Sequence, residues 1–203
     1  MTYPFRSKLR LGHLRNERVS ISVEAILMFP LLVWAFVAMF VFFEALREKN
    51  INLKATYTIS DLMSRETETI DDDYLHGMTN IYAWLSRSQQ PVSLRVTSVR
   101  YDEDLDQHIK MYSESVTGRP ELDQDEIDQI LTPHIPIMAD DDAVIVVETW
   151  TTYDPIMDIG LTDTEIYNIV VTSSRFAGYL NYEGYGDGGG SNHDDGTGDD
   201  QSL

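Results

Sequence analysis

The feature that most constrains this chain is an apolar run of 19 residues without a charged side chain, Ala25 to Phe43 (AILMFPLLVWAFVAMFVFF). At about 1.5 Å of rise per residue, a helix of this length covers the roughly 30 Å hydrocarbon core of a bilayer. Its helix breaker is Pro30. A cleaved signal peptide has a shorter apolar region followed by small residues, whereas here the helix-forming EALREK follows. The sequence therefore predicts a permanent transmembrane helix over residues 24–44.

The charges on either side of this run predict its orientation. Residues 1–18 contain five basic residues and one acid, whereas Arg47 and Lys49 are offset by Glu44 and Glu48. The more basic flank stays in the cytoplasm. We therefore expect a single-pass protein with a cytoplasmic basic leader over residues 1–23 and its C-terminal part on the other side of the membrane.

The part after residue 43 is strongly acidic. It holds 32 of the 34 acids and ten of the 15 Lys and Arg residues, a formal charge of −22. Such a charge repels nucleic acid and anionic lipid headgroups. The chain has no cysteine, which excludes disulfides and thiolate metal sites.

Periodicity predicts an α+β domain over residues 45–183. Ala55, Ile59, Leu62 and Met63 extend the membrane helix, and Asp71–Asp73 are suited to cap a second, amphipathic helix. The apolar stripe of that helix consists of Tyr74, Leu75, Met78, Ile81, Tyr82 and Leu85.

Four strands should follow. Residues 92–97 alternate as a half-buried strand, and residues 108–112 form its hairpin partner across the acidic loop 102–106. Residues 143–147 (AVIVV) suit a central strand, and residues 166–172 a fourth. Ile127, Ile130 and Leu131 indicate one short helix before Pro133 and Pro136. The prediction is an antiparallel sheet with helix packed on one face.

Residues 184–203 read as a disordered, acidic, Gly-rich tail. Its oxygen donors invite a calcium hypothesis, but they lack EF-hand spacing and a nonapeptide repeat, so a solvated tail is favoured. The donors are Asp187, Asn192, Asp194, Asp195, Asp199 and Asp200. The acids 71–73 and 140–142 are interpreted as a helix cap and a turn.

The sequence contains no recognisable catalytic or cofactor motif. His76, His108 and His134 have no nucleophile or metal spacing around them, so we expect no enzyme, no cofactor and no metal site. Tyr179, Tyr182 and Tyr185 recur every three residues. They could form an aromatic contact stripe or close the fold against the sheet.

Glu24 is the acid that immediately precedes the apolar run. One interpretation places it in the first helical turn, after Ser20 or Ser22 as cap, where the helix dipole favours negative charge. The other pairs it with a positive charge on a neighbouring protein.

Residues 20–24 (SISVE), followed by AILMFPLL, resemble the N-terminus of TadE-like (TadE/TadG) pilus-assembly proteins of bacterial tight-adherence, or type IVc pilus, systems. The motif covers about residues 17–35, and Pro30 suits it. A looser likeness extends to VIVVETWTTYDPIMDIGL and TSSRFAGYL. The resemblance implies a pseudopilin-like protein of the inner membrane with a periplasmic domain, whose partners are pilus-assembly proteins, prepilin peptidase and other pseudopilins.

The resemblance also implies a prepilin-peptidase cut between Val19 and Ser20, which would make Glu24 the fifth mature residue. Family substrates usually carry Gly before the cut, and this chain has the bulkier, stiffer Val19. Cut and uncut forms are therefore both alternatives. After a cut, the Ser20 amine becomes a cation that Glu24 of an adjacent subunit neutralises.

The resulting prediction is a non-enzymatic component of a tight-adherence pilus machine, either a minor pseudopilin or a periplasmic assembly factor. The alternative is a membrane-tethered periplasmic binding or sensor domain whose acidic surface responds to calcium.

Overall fold

The computed structural model describes residues 17–155, 157 and 162–185. The chain divides into two compact units between Phe43 and Glu44. Residues 1–16 of the predicted leader (1–23) and nearly all of the predicted tail, with its candidate calcium donors, lie outside the described residues.

Helix α1, Glu17–Ser64, is 48 residues long and contains the apolar run. Its extension past the run is confirmed. In this second part Ala55, Ile59 and Met63 are buried in the main hydrophobic core.

The described residues form a four-stranded antiparallel sheet in the order β2-β1-β3-β4. The strands are β1 (Val92–Asp102), β2 (Gln107–Ser115), β3 (Ala143–Tyr153) and β4 (Thr164–Ser173). A bulge places Met111 and Tyr112 opposite Ser98. The predicted α+β class, hairpin and central position of residues 143–147 are confirmed.

Polar side chains line much of the contact between α1 and the sheet. Asn52, Thr56 and Ser60 recur every four residues and are all buried. Thr56 Oγ1 lies 2.7 Å from Thr149 Oγ1, and the Tyr82 hydroxyl donates to Asn52 Oδ1 at 3.0 Å. Because Thr56 and Asn52 have these hydrogen-bond partners, the burial of these two side chains carries little desolvation penalty.

Both faces of the sheet are covered, so the prediction of a half-buried first strand is wrong. Ser98, Thr97 and Arg95 on β1 are buried as completely as their apolar neighbours. The second face packs against the segment after β2, through Leu122, Ile127 and Leu131. This segment contains the predicted short helix, as α3 (Gln124–Glu126) continued by a π turn (Ile127–Leu131) and a 3₁₀ turn (Thr132–His134).

Helix α2, Asp72–Ser86, begins as predicted, with Asp71 as its N-cap. The Asp71 carboxylate accepts from the Tyr74 N–H at 2.8 Å. Leu75 and Tyr82 are buried, but Ile81, which was predicted on the buried stripe, is exposed.

The C-terminal described segment closes the fold at the corner between α1 and α2. Ile70 N–H donates to Asn181 O at 2.9 Å, and Glu183 N–H donates to Ile70 O at 2.8 Å. The Tyr182 hydroxyl donates to Asp72, and both Tyr182 and Tyr185 contact the Tyr112 ring. Of the two alternatives predicted for these tyrosines, Tyr182 and Tyr185 therefore fit the one in which they close the fold against the sheet.

Candidate functional site

The apolar part of α1 presents nearly all of its side chains outward. Only 6% of its most apolar 18-residue window is buried. The exposed side chains include Ile26, Leu27, Phe29, Trp34, Phe36, Met39 and Phe43. A helix this long and apolar is able to cross a membrane. Exposure on this scale marks a surface for lipid or for partner helices.

Glu24 lies on this segment, as an exposed residue two turns inside α1. Since residues 17–23 are already helical, Ser20 and Ser22 are not N-caps, and the first-turn interpretation of Glu24 is wrong. The helix dipole falls off within the first turn, so it gives Glu24 little compensation. None of the residues that the structure describes pairs with its carboxylate.

The predicted cleavage position, between Val19 and Ser20, lies in the helical backbone of α1. Their side chains are outside the described set. A peptidase that binds an extended substrate would need this turn to unwind first, at the cost of local helix opening. Ser20 and Glu24 are four residues apart, so they share a face of the helix.

Helix α1 continues through Pro30. Proline has no N–H to donate to the carbonyl of residue 26, so that carbonyl is a weak point in the apolar segment. Small residues are sparse here: Ala25, Ala35 and Ala38 do not form a G-x-x-x-G pattern. Close helix pairing of that type is therefore not indicated.

Charges resume directly after Phe43. The Glu44 carboxylate accepts a hydrogen bond from the Arg47 guanidinium at 3.1 Å. The two residues are one helical turn apart. The apolar segment is therefore bounded by Glu24 at one end and by an ion pair at the other.

A second polar cluster, which the sequence did not predict, lies on the far face of the sheet. Arg95 Nε donates to Glu148 at 2.7 Å, with side chains only 7% and 1% exposed. The Tyr167 hydroxyl donates to the other Glu148 oxygen at 2.7 Å. Arg95 and Arg119 both lie over the Trp150 ring, at 5.0 and 4.8 Å from its centroid.

This cluster is saturated with internal partners. Arg95 also donates to the Pro120 carbonyl at 2.9 Å, and Trp150 stacks on Tyr167. Burial, followed by the Glu148 hydrogen bond and charge, raises the pKa of Tyr167. We assign the cluster a structural role, because it fastens the segment after β2 to β3 and β4. A charged pair split between two strands leaves no local sequence signal.

The three described histidines do not assemble a site. His76 and His134 are exposed, and His108 Nδ1 lies 3.2 Å from Thr132 Oγ1. Burial lowers the pKa of His108, although Asp128 and Asp106 oppose that shift. Within the described ranges, no three His, Asp or Glu side chains are grouped to hold a metal ion.

The acids 140–142 form the predicted turn before β3. Asp140 accepts from the Glu103 N–H at 3.0 Å, and Asp142 accepts from the Ala139 N–H at 3.2 Å. Asp141 has a positive φ of 65° and pairs with Arg100. These three carboxylates therefore make hydrogen bonds or an ion pair within the domain.

Comparisons of the chain with protein-family models, with curated proteins and with solved structures found no match. The tight-adherence likeness therefore rests on the N-terminal motif and the looser likeness of the two C-terminal segments quoted above.

Proposed function

We propose that this chain is a membrane-anchored, non-enzymatic component of a tight-adherence (type IVc) pilus assembly system, acting as a minor pseudopilin or a periplasmic assembly factor. The apolar segment spans the inner membrane, and the acidic α+β domain faces the periplasm.

The observation that carries the proposal is the exposed apolar segment of α1 with Glu24 at its start. An ionised carboxylate at the membrane edge is costly unless it is paired. Since none of the described residues pairs with it, the partner charge is to be supplied from elsewhere. The resemblance of residues 17–35 to TadE-like proteins identifies the class of assembly in which such pairing occurs.

In this proposal helix packing and polar pairing supply the specificity of assembly. Lipid provides no hydrophobic drive between helices, so shape and polar contacts decide which helices associate. If the chain is cut before Ser20, the new amine pairs with Glu24 of the adjacent subunit and fixes the register between them. If it is not cut, Glu24 pairs with a basic group of another assembly protein.

Deletion of the gene tests the role. We expect loss of surface pili and adhesion, with recovery when the intact chain is supplied. Unchanged piliation in the deletion strain would refute the proposal. Mass spectrometry of the membrane-extracted chain tests the processing step separately, since an N-terminus at Met1 excludes the cut.

The calcium-responsive sensor stays an alternative prediction. It requires a rise in the Tm of the purified chain on adding calcium, whereas an assembly component needs none.

A further inference from the structure

A tryptophan stands out on the surface near the C-terminal end of α2. Trp84 is 78% exposed, the largest exposed fraction of any described aromatic side chain. It lies off the apolar stripe that faces the core, and Ile81, one turn earlier, is also exposed. Ile81 and Trp84 together form a small exposed apolar patch on this side of α2, which is suited to a contact with something apolar.

This end of α2 is adjacent to the first turn of the folded domain. Arg87 and Ser88, just after α2, line a cleft of about 260 Å³ together with Glu44, Glu48 and Tyr153. Ser88 Oγ lies 3.0 Å from Thr151 Oγ1, which fixes the position of this turn against β3. Arg87 and Ser88 also line a surface groove with Trp84. Trp84 therefore lies about one helical turn from residues that face Glu44 and Glu48.

The distance to the membrane follows from chain continuity. Glu44 directly follows Phe43, where the apolar run ends, and Glu44 to Glu48 covers about 6 Å of helix. The headgroup layer on each side of a bilayer is roughly 5–7 Å thick. Given the membrane anchoring proposed above, the turn Glu44–Glu48 and the cleft beside it lie in that layer.

We propose that Ile81, Trp84 and Arg87 form a second membrane contact, in which the Trp84 indole enters the boundary between headgroups and acyl chains. Tryptophan is enriched at this depth because its ring is apolar and its N–H is polar. Arg87 extends its guanidinium to the phosphates while its stem lies along the apolar surface. The occupant is phospholipid of the membrane that α1 crosses.

The charges near Arg87 determine which lipid headgroups this contact needs. Glu44, Glu48 and Asp154 line the cleft beside Arg87, so anionic headgroups gain little there. We therefore expect the contact to form in bilayers of phosphatidylcholine alone and to persist at high salt, since exposed charges are screened but ring insertion is not.

The test uses the absence of cysteine from the chain. Asn80→Cys places a fluorescent label four residues before Trp84, on the same side of α2, and leaves Trp84 intact. The full-length chain is placed at one copy per phosphatidylcholine nanodisc containing lipids with a spin-label quencher near the headgroup. Leu105→Cys is the matched control, since it is 62% exposed in the turn at the opposite end of β1.

We expect several-fold stronger quenching at residue 80 than at residue 105, and a clear decrease at residue 80 when Trp84→Ser is added. Circular dichroism of the Trp84→Ser chain checks that its fold is retained. Equal, weak quenching at both positions in incorporated protein would overturn the second contact and leave the anchor intact. Failure of the chain to enter nanodiscs at all would instead refute the anchoring on which the inference rests. Quenching at residue 80 that Trp84→Ser leaves undiminished would also overturn the assignment of the contact to Trp84.

Discussion

Glu24 is a carboxylate on the apolar helix without a charged partner among the described residues. Its place two turns inside α1 removes the helix-dipole explanation and is compatible with the intermolecular pairing that we propose. A carboxylate retained in such a place despite its insertion cost is a functional-site hypothesis by default.

We expect Glu24→Gln to insert in the membrane at least as well as the native chain but to restore few pili when supplied to a deletion strain. The amide keeps the shape and removes the charge that pairing needs. Pili counted by electron microscopy, with chain abundance matched by immunoblot, measure this. Glu44→Gln is the control, because Glu44 already has Arg47 as a local partner. Full piliation by Glu24→Gln would contradict intermolecular pairing.

Arg95 and Glu148 give a second prediction for single residues. Arg95→Ala leaves the Glu148 charge buried without its cation, which costs about 3–5 kcal/mol of the free energy of unfolding. Arg119→Ala should cost about 1 kcal/mol, since its ion pair with Glu165 is more than a third exposed. Urea unfolding of the full chain in detergent compares the two. Similar losses for both variants would contradict the buried-pair argument.

Among the elements, α1 shows both what the sequence can predict and what it cannot. Its length and its apolar run follow directly from composition and helical spacing. The buried stripe Asn52, Thr56 and Ser60 does not, because polar residues at a spacing of four are typical of a solvated face. Asn52 and Thr56 are buried because they have hydrogen-bond partners that are distant in sequence, Tyr82 and Thr149. The full burial of β1 was missed for the same reason, since Arg95 and Thr97, which alternate with its apolar residues, are polar.

Ser60 tests how closely α1 packs on the domain. It is buried, so Ser60→Leu should overpack the interface and lower the free energy of unfolding by about 1–3 kcal/mol. Thr58→Leu is the control on the exposed side of the same helix and should change stability by less than about 0.5 kcal/mol. Urea midpoints of the two variants decide; an unchanged midpoint for Ser60→Leu would show that this face is loosely packed.

The tyrosines around the C-terminal segment predict alkaline sensitivity. Burial, followed by the charge and hydrogen bond of Glu66, raises the pKa of Tyr74 to about 12. Burial also raises the pKa of Tyr112, which has no described hydrogen-bond partner for its hydroxyl. Because these pKa values are raised in the native state, above pH 10 the unfolded chain binds fewer protons than the native one. Stability is then lost as pH rises, by about 1.4 kcal/mol per pH unit for a fully buried tyrosine.

Tyr112→Phe isolates this effect. It removes a buried hydroxyl without a protein partner and should leave the chain as stable as the native one at pH 8, or more stable. The decline of the urea midpoint between pH 10 and 12 should be shallower in Tyr112→Phe than in the native chain. Parallel declines would exclude Tyr112 as a contributor.

For the molecule as a whole, the account depends on the apolar segment lying in a membrane with the acidic domain outside the cytoplasm. The five basic residues among the first 18, against only Arg47 and Lys49 directly after the apolar run, are the asymmetry that predicts this orientation. The described fold is consistent with an anchored domain, because α1 enters its core directly through Ala55, Ile59 and Met63. The sequence predicted the long apolar helix and the α+β class well, since these depend on composition and periodicity and not on long-range polar partners. The orientation in the membrane stays a prediction.

Cysteine accessibility in intact cells tests that orientation most directly. Ser7→Cys and Leu105→Cys each give the chain a single thiol, one in the predicted cytoplasmic leader and one in the exported domain. A maleimide that crosses the outer but not the inner membrane should label Leu105→Cys in intact cells and Ser7→Cys only after lysis. Labelling of Ser7→Cys alone in intact cells, or recovery of both chains in the soluble fraction, would contradict the account.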